Sequence, residues 1–281
     1  MTGRGAGPAR APSSAPLGVF DSGLGGLTVV RALRKSLPDE DIVYLGDTAR
    51  VPYGTRGPET VEKYAVACAR HLVGRGVKAI VIACNTVSAV APDKLRIELD
   101  LPVLSVIEPG ARAAVRASRT ARIGVLATPG TIASGAYLRA ISQLSTRAEV
   151  TGKAAPLLVP LAEEGWTEGE VPRLAAERYL EPFAKADVDT IILGCTHYPL
   201  LKGVLTEAAA KILGPHVTLV DSADETASDA RSFLGSRDML SGTRVGGGRI
   251  DVLVTDMPRS FAESAARFLG SPLEKVTAID L

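Results

Sequence analysis

The sequence predicts an α/β protein of two pseudo-symmetric domains, each a mostly parallel sheet flanked by helices, with its active site in the interdomain cleft. Three observations carry this. Short, continuously apolar runs alternate with helical stretches, the pattern of a parallel sheet buried on both faces. The pattern occurs twice: Leu17-Gly18-Val19-Phe20-Asp21-Ser22-Gly23 matches Ile123-Gly124-Val125-Leu126-Ala127-Thr128-Pro129, and Val81-Ile82-Ala83-Cys84-Asn85-Thr86 matches Ile192-Leu193-Gly194-Cys195-Thr196-His197. The spacing also repeats, with 63 residues from Asp21 to Cys84 and 68 from Ala127 to Cys195.

Taken in order, residues 1–16 carry no large apolar side chain after Met1 and no apolar stretch of the kind a secretory signal needs. A segment with nothing to bury cannot offset its ordering entropy, so a disordered tail is expected there. Leu17–Phe20 reads as the first strand, followed by a glycine turn and a helix through Leu33. Ile42–Leu45, Ala79–Ala83 and Val103–Ile107 read as further buried strands, with helices at Thr60–Val73 and Val87–Leu99. The second series has strands at Ile123–Ala127, Leu157–Val159, Thr190–Leu193 and Val217–Val220. A third group, with a helix over 223–234, a strand at Ile250–Val254 and a helix at Ser260–Leu269, is assigned back to the first domain. The expected domains are therefore 17–108 plus 222–281, and 109–221.

Composition narrows the function classes. The 281 residues carry 32 Lys+Arg against 31 Asp+Glu, so no bulk charge calls for nucleic acid or an anionic membrane. The longest apolar run, Ala79–Cys84, is too short to span a bilayer. Three cysteines without C-x-x-C spacing make neither a disulfide framework nor a zinc ribbon, and free thiols point to a reducing, cytoplasmic compartment.

Ligands of open parallel sheets bind outside the carboxyl ends of the strands, where Asp21, Cys84, Thr128 and Cys195 fall. A lone cysteine after an apolar run is more often inert packing, and Cys68, inside a helix, is read that way. Cys84 and Cys195 differ because polar pairs follow them, Asn85-Thr86 and Thr196-His197. The thiolate is the reactive form, and its candidate helpers are Asp21, His197 and one of Glu163 and Glu164. Asp21 has a competing role as the cap of the helix beginning near Gly25, and physics does not separate the two glutamates. Gly23-Leu24-Gly25-Gly26 is neither a Walker loop nor G-x-G-x-x-G, yet a strand, glycine turn and helix start suit an anion. Arg50 and Arg56 could bind anions but are read as solvated, and Gly246-Gly247-Gly248 as a flexible turn.

Four motifs, in order, resemble the glutamate racemases of the aspartate/glutamate racemase family. They are Phe20-Asp21-Ser22-Gly23-Leu24-Gly25-Gly26, Asp47-Thr48-Ala49-Arg50-Val51-Pro52-Tyr53-Gly54, Ala83-Cys84-Asn85-Thr86 and Gly194-Cys195-Thr196-His197-Tyr198-Pro199. The resemblance runs from about residue 17 to the C-terminus. It implies interconversion of L- and D-glutamate without pyridoxal phosphate, metal or other cofactor, for peptidoglycan synthesis. By position, Cys84 and Cys195 resemble the two acid/base thiols, Asp21 the assistant of the first, and Glu163 and His197 those of the second. It chooses Glu163 because that residue follows Val159-Pro160-Leu161-Ala162. Substrate contacts are implied at Asp21, Ser22, Tyr53, Gly54, Asn85, Thr86, Thr128, Thr196 and His197. The partner implied is the small-molecule substrate, and a homodimer is compatible with the resemblance. Val87, where many relatives have a small residue, is the one departure.

The chemistry suits a duplicated chain, because racemisation removes a proton from one face of Cα and returns one to the other. Three alternatives remain: a racemase of another acidic amino acid such as aspartate, a Cys-His acyl-transfer enzyme using Cys195 and His197, and a carboxylate-binding module that needs neither thiol.

Overall fold

The structure, a computed structural model, describes residues 12–281. Among these residues ten strands form two sheets, and each strand pairing is parallel. The first sheet contains β1 (Leu17–Asp21), β2 (Ile42–Gly46), β3 (Ala79–Ile82), β4 (Val103–Ser105), β9 (Ile250–Val254) and β10 (Val276–Ala278), in the order β10-β9-β2-β1-β3-β4. The second contains β5 (Arg122–Ala127), β6 (Glu149–Ala154), β7 (Thr190–Gly194) and β8 (Thr218–Asp221), in the order β6-β5-β7-β8.

The internal repeat is visible in this topology, since β2-β1-β3-β4 and β6-β5-β7-β8 are the same arrangement made twice. Matched glycines in the two central strands reinforce it. A Cβ at Gly18 would press Val77 at 3.1 Å and Leu72 at 3.3 Å, and one at Gly124 would press Val188 at 3.1 Å and Phe183 at 3.2 Å. In both halves a side chain is omitted where the helix leading into the neighbouring strand, β3 or β7, closes on the central strand. Apolar clusters cover both faces of each sheet, around Leu17, Val19 and Val81 on one face of the first and Phe20, Ile80 and Ile82 on the other. Leu126 and Leu193 face one side of the second sheet, and Val125 and Ile192 the opposite side. β1, β2 and β3 are buried at every position, so apart from Asp21 at the end of β1 they carry only apolar residues and glycine.

Several expectations are corrected. Leu157–Val159 is not a strand, because Leu158 opens a six-residue helix ending at Glu163. The strand of that region is β6, whose half-exposed sequence EVTGKA carries no continuous apolar run. The strand expected at Val103–Ile107 stops at Ser105, and Ile107 starts the helix Ile107–Ala117. Val87–Leu99 is two helices, Asn85–Ser88 and Pro92–Glu98, the second beginning at its proline. The helix after the glycine turn spans Leu27–Ser36 with Gly26 in the cap position, so Asp21 is not its cap. Of the tail expected at 1–16, residues 1–11 lie outside the described residues, whereas 12–16 are ordered. There Lys78 Nζ, buried against Glu40 at 2.5 Å, also donates to the Ser13 carbonyl at 2.5 Å, and Lys78 N donates to Pro16 O at 2.9 Å.

Among the described residues no helix is long and apolar enough to cross a membrane, and no group of three or more His, Cys, Asp or Glu could hold a metal ion.

Candidate active site

The carboxyl ends of β1, β3, β5 and β7 converge on one cavity of about 190 Å³. Cys84 and Cys195 both border it, one from each sheet, with Ser22, Gly54, Thr128 and His197 also in its wall. Both thiols are free and buried. Cys84 follows β3 and occupies the cap position of the helix Asn85–Ser88. Its Sγ approaches Ser22 Oγ at 3.7 Å. Burial pushes the Cys84 thiol up to about 12 and the charge of Asp21 adds to that, against smaller opposing pulls from the Val87 N–H and the Ser22 hydroxyl. Cys84 is therefore a protonated thiol at neutral pH.

Asp21 ends β1 and is almost fully buried. Its Oδ2 accepts from Gly23 N at 3.0 Å, while the buried Oδ1 has no hydrogen-bond partner among the described residues. Burial raises this carboxyl above its ordinary value, and the His197 charge with the N–H groups of the glycine turn pulls the other way. A buried carboxylate oxygen left unpaired is costly in a finished core and is informative beside a cavity.

The second thiol has a different surrounding. Cys195 Sγ lies 3.8 Å from His197 Nδ1, and His197 Nε2 lies 2.9 Å from Glu163 Oε1. Burial works against a charged His197, but hydrogen bonds to Cys195 and Glu163 outweigh it and raise the imidazole to about 10. The imidazole thus has a carboxylate at one nitrogen and the Cys195 sulfur near the other. Glu163 reaches the histidine because the helix Leu158–Glu163 buries Leu158, Leu161 and Ala162. That phase turns Glu164 to solvent, so it is Glu163 that reaches His197.

The halves meet through hydroxyls and glycines. Thr86 Oγ1 and Thr128 Oγ1 are 2.9 Å apart, and Gly130 N donates to Gly54 O at 2.8 Å. Thr28 Oγ1 donates to the Thr196 carbonyl at 3.2 Å. Gly25 packs so closely that a Cβ there would sit 2.1 Å from Thr196 Oγ1 and 2.6 Å from His197 Nδ1.

This arrangement sets two thiols, one from each sheet, against one cavity whose wall also carries the hydroxyls of Ser22, Thr86, Thr128 and Thr196. The Asp/Glu/hydantoin racemase model matches residues 27–230. The chain belongs to that family. A glutamate racemase of Geobacter metallireducens is 49% identical over 265 residues, covering 94% of this chain and 96% of that protein. Among solved structures, the glutamate racemase isoform RacE1 from Bacillus anthracis has a TM-score of 0.90 at 37% identity, covering 96% of this chain and 98% of that one. The glutamate racemase from Francisella tularensis, solved with D-glutamate, has a TM-score of 0.87 at 38% identity, covering 95% of this chain and 98% of that one.

Of the sequence-derived site residues, all but Asp21 border the cavity. Tyr53 takes a different part: its hydroxyl donates to the buried Asp47, so the ring walls the cavity while the polar end points away. Arg50 is tied to Asp47 at 2.6 Å and stacked over Tyr64 at 4.6 Å, which leaves it unsuited to an anion in the cleft. Sequence reasoning missed Tyr137, whose hydroxyl fixes Asn85 Oδ1 at 2.7 Å, and Thr131, which bonds Thr128 at 3.0 Å. Thr131 had a signal. It stands three residues after Thr128, which caps its N–H at the start of the helix Pro129–Ser134. Tyr137 had none, since its partner lies 52 residues away.

Proposed function

We propose that the chain is a cofactor-independent racemase that interconverts L- and D-glutamate, providing D-glutamate for peptidoglycan synthesis. The observation that carries the reading is the pair of buried thiols at matched strand ends, facing one cavity, each with its own polar partners. The Cys195 thiolate, beside the His197 imidazolium, takes the α-proton from one face of Cα. The Cys84 thiol then donates its proton to the opposite face, leaving Cys84 as thiolate and Cys195 as thiol, and the reverse reaction exchanges the roles. Asp21 assists Cys84, while His197 and Glu163 assist Cys195. Donors from Ser22, Gly54, Asn85, Thr86, Thr128 and Thr196 hold the substrate carboxylates and stabilise the charge developing at Cα. With no electron sink in the mechanism, water exclusion by closure of the two halves carries much of the burden.

Residues 17–108 with 222–281 form one closing unit and 109–221 the other, a division supported by the strand membership of the two sheets. Three buried free thiols fit a cytoplasmic setting, and a homodimer is the assembly to test by light scattering.

Incubation with L-glutamate in D₂O tests the function. Loss of optical rotation with deuterium entering Cα supports it, and an undiminished Cα proton signal refutes it. Full two-way activity in both Cys84→Ser and Cys195→Ser would overturn the two-thiol mechanism. L-aspartate turned over as fast as L-glutamate would favour the broader acidic-amino-acid reading. An acyl-enzyme detected by mass spectrometry would favour acyl transfer.

A further inference from the structure

Two residues beyond the end of the family match, at residue 230, reach the Glu163–His197 pair. The helix Pro258–Leu269 packs on Leu27–Ser36 and on β10, so it sits with the six-stranded sheet. Its last turn nevertheless meets the side chains of the other half. The helix Leu158–Glu163 ends in a Schellman turn, with Trp166 N donating to Leu161 O at 2.8 Å and Gly165 N to Ala162 O at 3.2 Å. Gly165 has φ +76°, as that turn requires. These bonds satisfy the carbonyls of Leu161 and Ala162 but not that of Glu163. Arg267 Nη2 donates to the Glu163 carbonyl at 2.5 Å, and also to Ser264 Oγ at 3.2 Å. The approach is close enough that a Cβ at residue 165 would lie 2.6 Å from Arg267 Nη1. The next residue, fully buried Phe268, sets its ring edge-on to the His197 imidazole with centroids 5.4 Å apart.

The Glu163 side chain is 43% exposed, so no surrounding core holds its carboxylate in place. Apart from its bond to His197, its position is set by the backbone from which it hangs, and the end of that backbone is capped by Arg267. We propose that Arg267 is a positioning residue, which holds Glu163 on His197 Nε2 by capping the Glu163 carbonyl. Phe268 supports the same pair by backing the imidazole. This rests on the acid/base reading of Cys195, His197 and Glu163. The charged and titratable groups that face His197 are Cys195 after β7, Glu163 on its helix and Asp21 at the end of β1. Of these, Glu163 is the one that Arg267 contacts.

The test compares Arg267→Ala, Arg267→Lys, Glu163→Gln and the double variant R267A/E163Q in the full chain. A displaced Glu163 lowers kcat/KM for both enantiomers about tenfold in Arg267→Ala. The His197 titration, followed by NMR of its ring carbons, falls from about 10 towards its ordinary value as Glu163 support is lost. Arg267→Lys recovers most of both readouts, and R267A adds little to E163Q because both act through one carboxylate. An unchanged His197 titration in Arg267→Ala, additive losses in the double variant, or a lysine variant no better than alanine would each overturn the proposal. The titration needs no turnover. A wild type that failed to racemise glutamate would refute the function, while the NMR comparison would still decide the role of Arg267.

Discussion

Gly25→Ala places a single methyl group between the two halves of the cleft. Gly25 does not have positive φ, so alanine fits its backbone and the cost is steric alone. The added carbon would start 2.1 Å from Thr196 Oγ1 and 2.6 Å from His197 Nδ1. Restoring ordinary contact near 3.4 Å requires displacements of roughly 1.3 Å and 0.8 Å. Thr196 can rotate. His197 has little room, being bonded to Glu163 on one side and backed by Phe268 on another. Overpacking of this kind costs about 1–3 kcal/mol of stability. Displacing a catalytic group by about 1 Å costs about 100-fold in rate. Circular dichroism of glutamate in both directions should therefore show kcat/KM down about 100-fold. The drop must be equal for L and D, because enantiomers have equal free energy. Gly74→Ala is the control, since a Cβ there meets nothing within 4 Å. Retention of wild-type kcat/KM in Gly25→Ala within about threefold, against that expected factor of 100, would refute the close-packed cleft.

Two further outcomes concern pH. His197 is raised from 6.5 to about 10, so its stabilising contribution is complete below about 6.5 and is lost as pH rises through about 10. The stability gap between wild type and His197→Asn, read by urea unfolding, should shrink by at most about 5 kcal/mol between pH 6.5 and 10.5, and a constant gap would exclude an imidazolium. Asp189 behaves oppositely: burial would raise it, but the Ser118 hydroxyl and the N–H groups of Thr120 and Arg119 hold it down to about 2. Its contribution is present above 3.8 and lost as pH falls through about 2, so Asp189→Asn should cost about 2–3 kcal/mol at pH 7 and far less near pH 2. Equal losses at both pH values would show that the carboxylate charge is not what matters there.

The parts legible in the sequence were those where one requirement dominates. β1, β2, β3, β5 and β7 are buried along nearly their whole length, and the central positions of each are filled by apolar residues and glycine. β6 lies at a sheet edge and is half-exposed, so charged and apolar residues mix in it and its signal vanishes. Leu157–Val159 illustrates the opposite failure, because an apolar triplet fits a strand or the first turn of a buried helix equally well. Cys84 and Cys195 were legible because the repeat set them at matched strand ends. Tyr137, Arg267 and Phe268 were not, since each acts on residues 52 or more positions away through a crossing that only the folded chain makes.

The strand order also sets a timetable for synthesis. β2 pairs with β9 across 208 positions of chain, from Ile42 to Ile250. Until the ribosome has released that last segment, one side of β2 is an open edge, with unsatisfied N–H and C=O groups ready to pair with another chain. The four-stranded sheet has no such debt, because β5 to β8 lie within residues 122–221 and can close as they emerge. The part made first must therefore wait for the part made last. A chain stalled before residue 250 would be the species most in need of a chaperone.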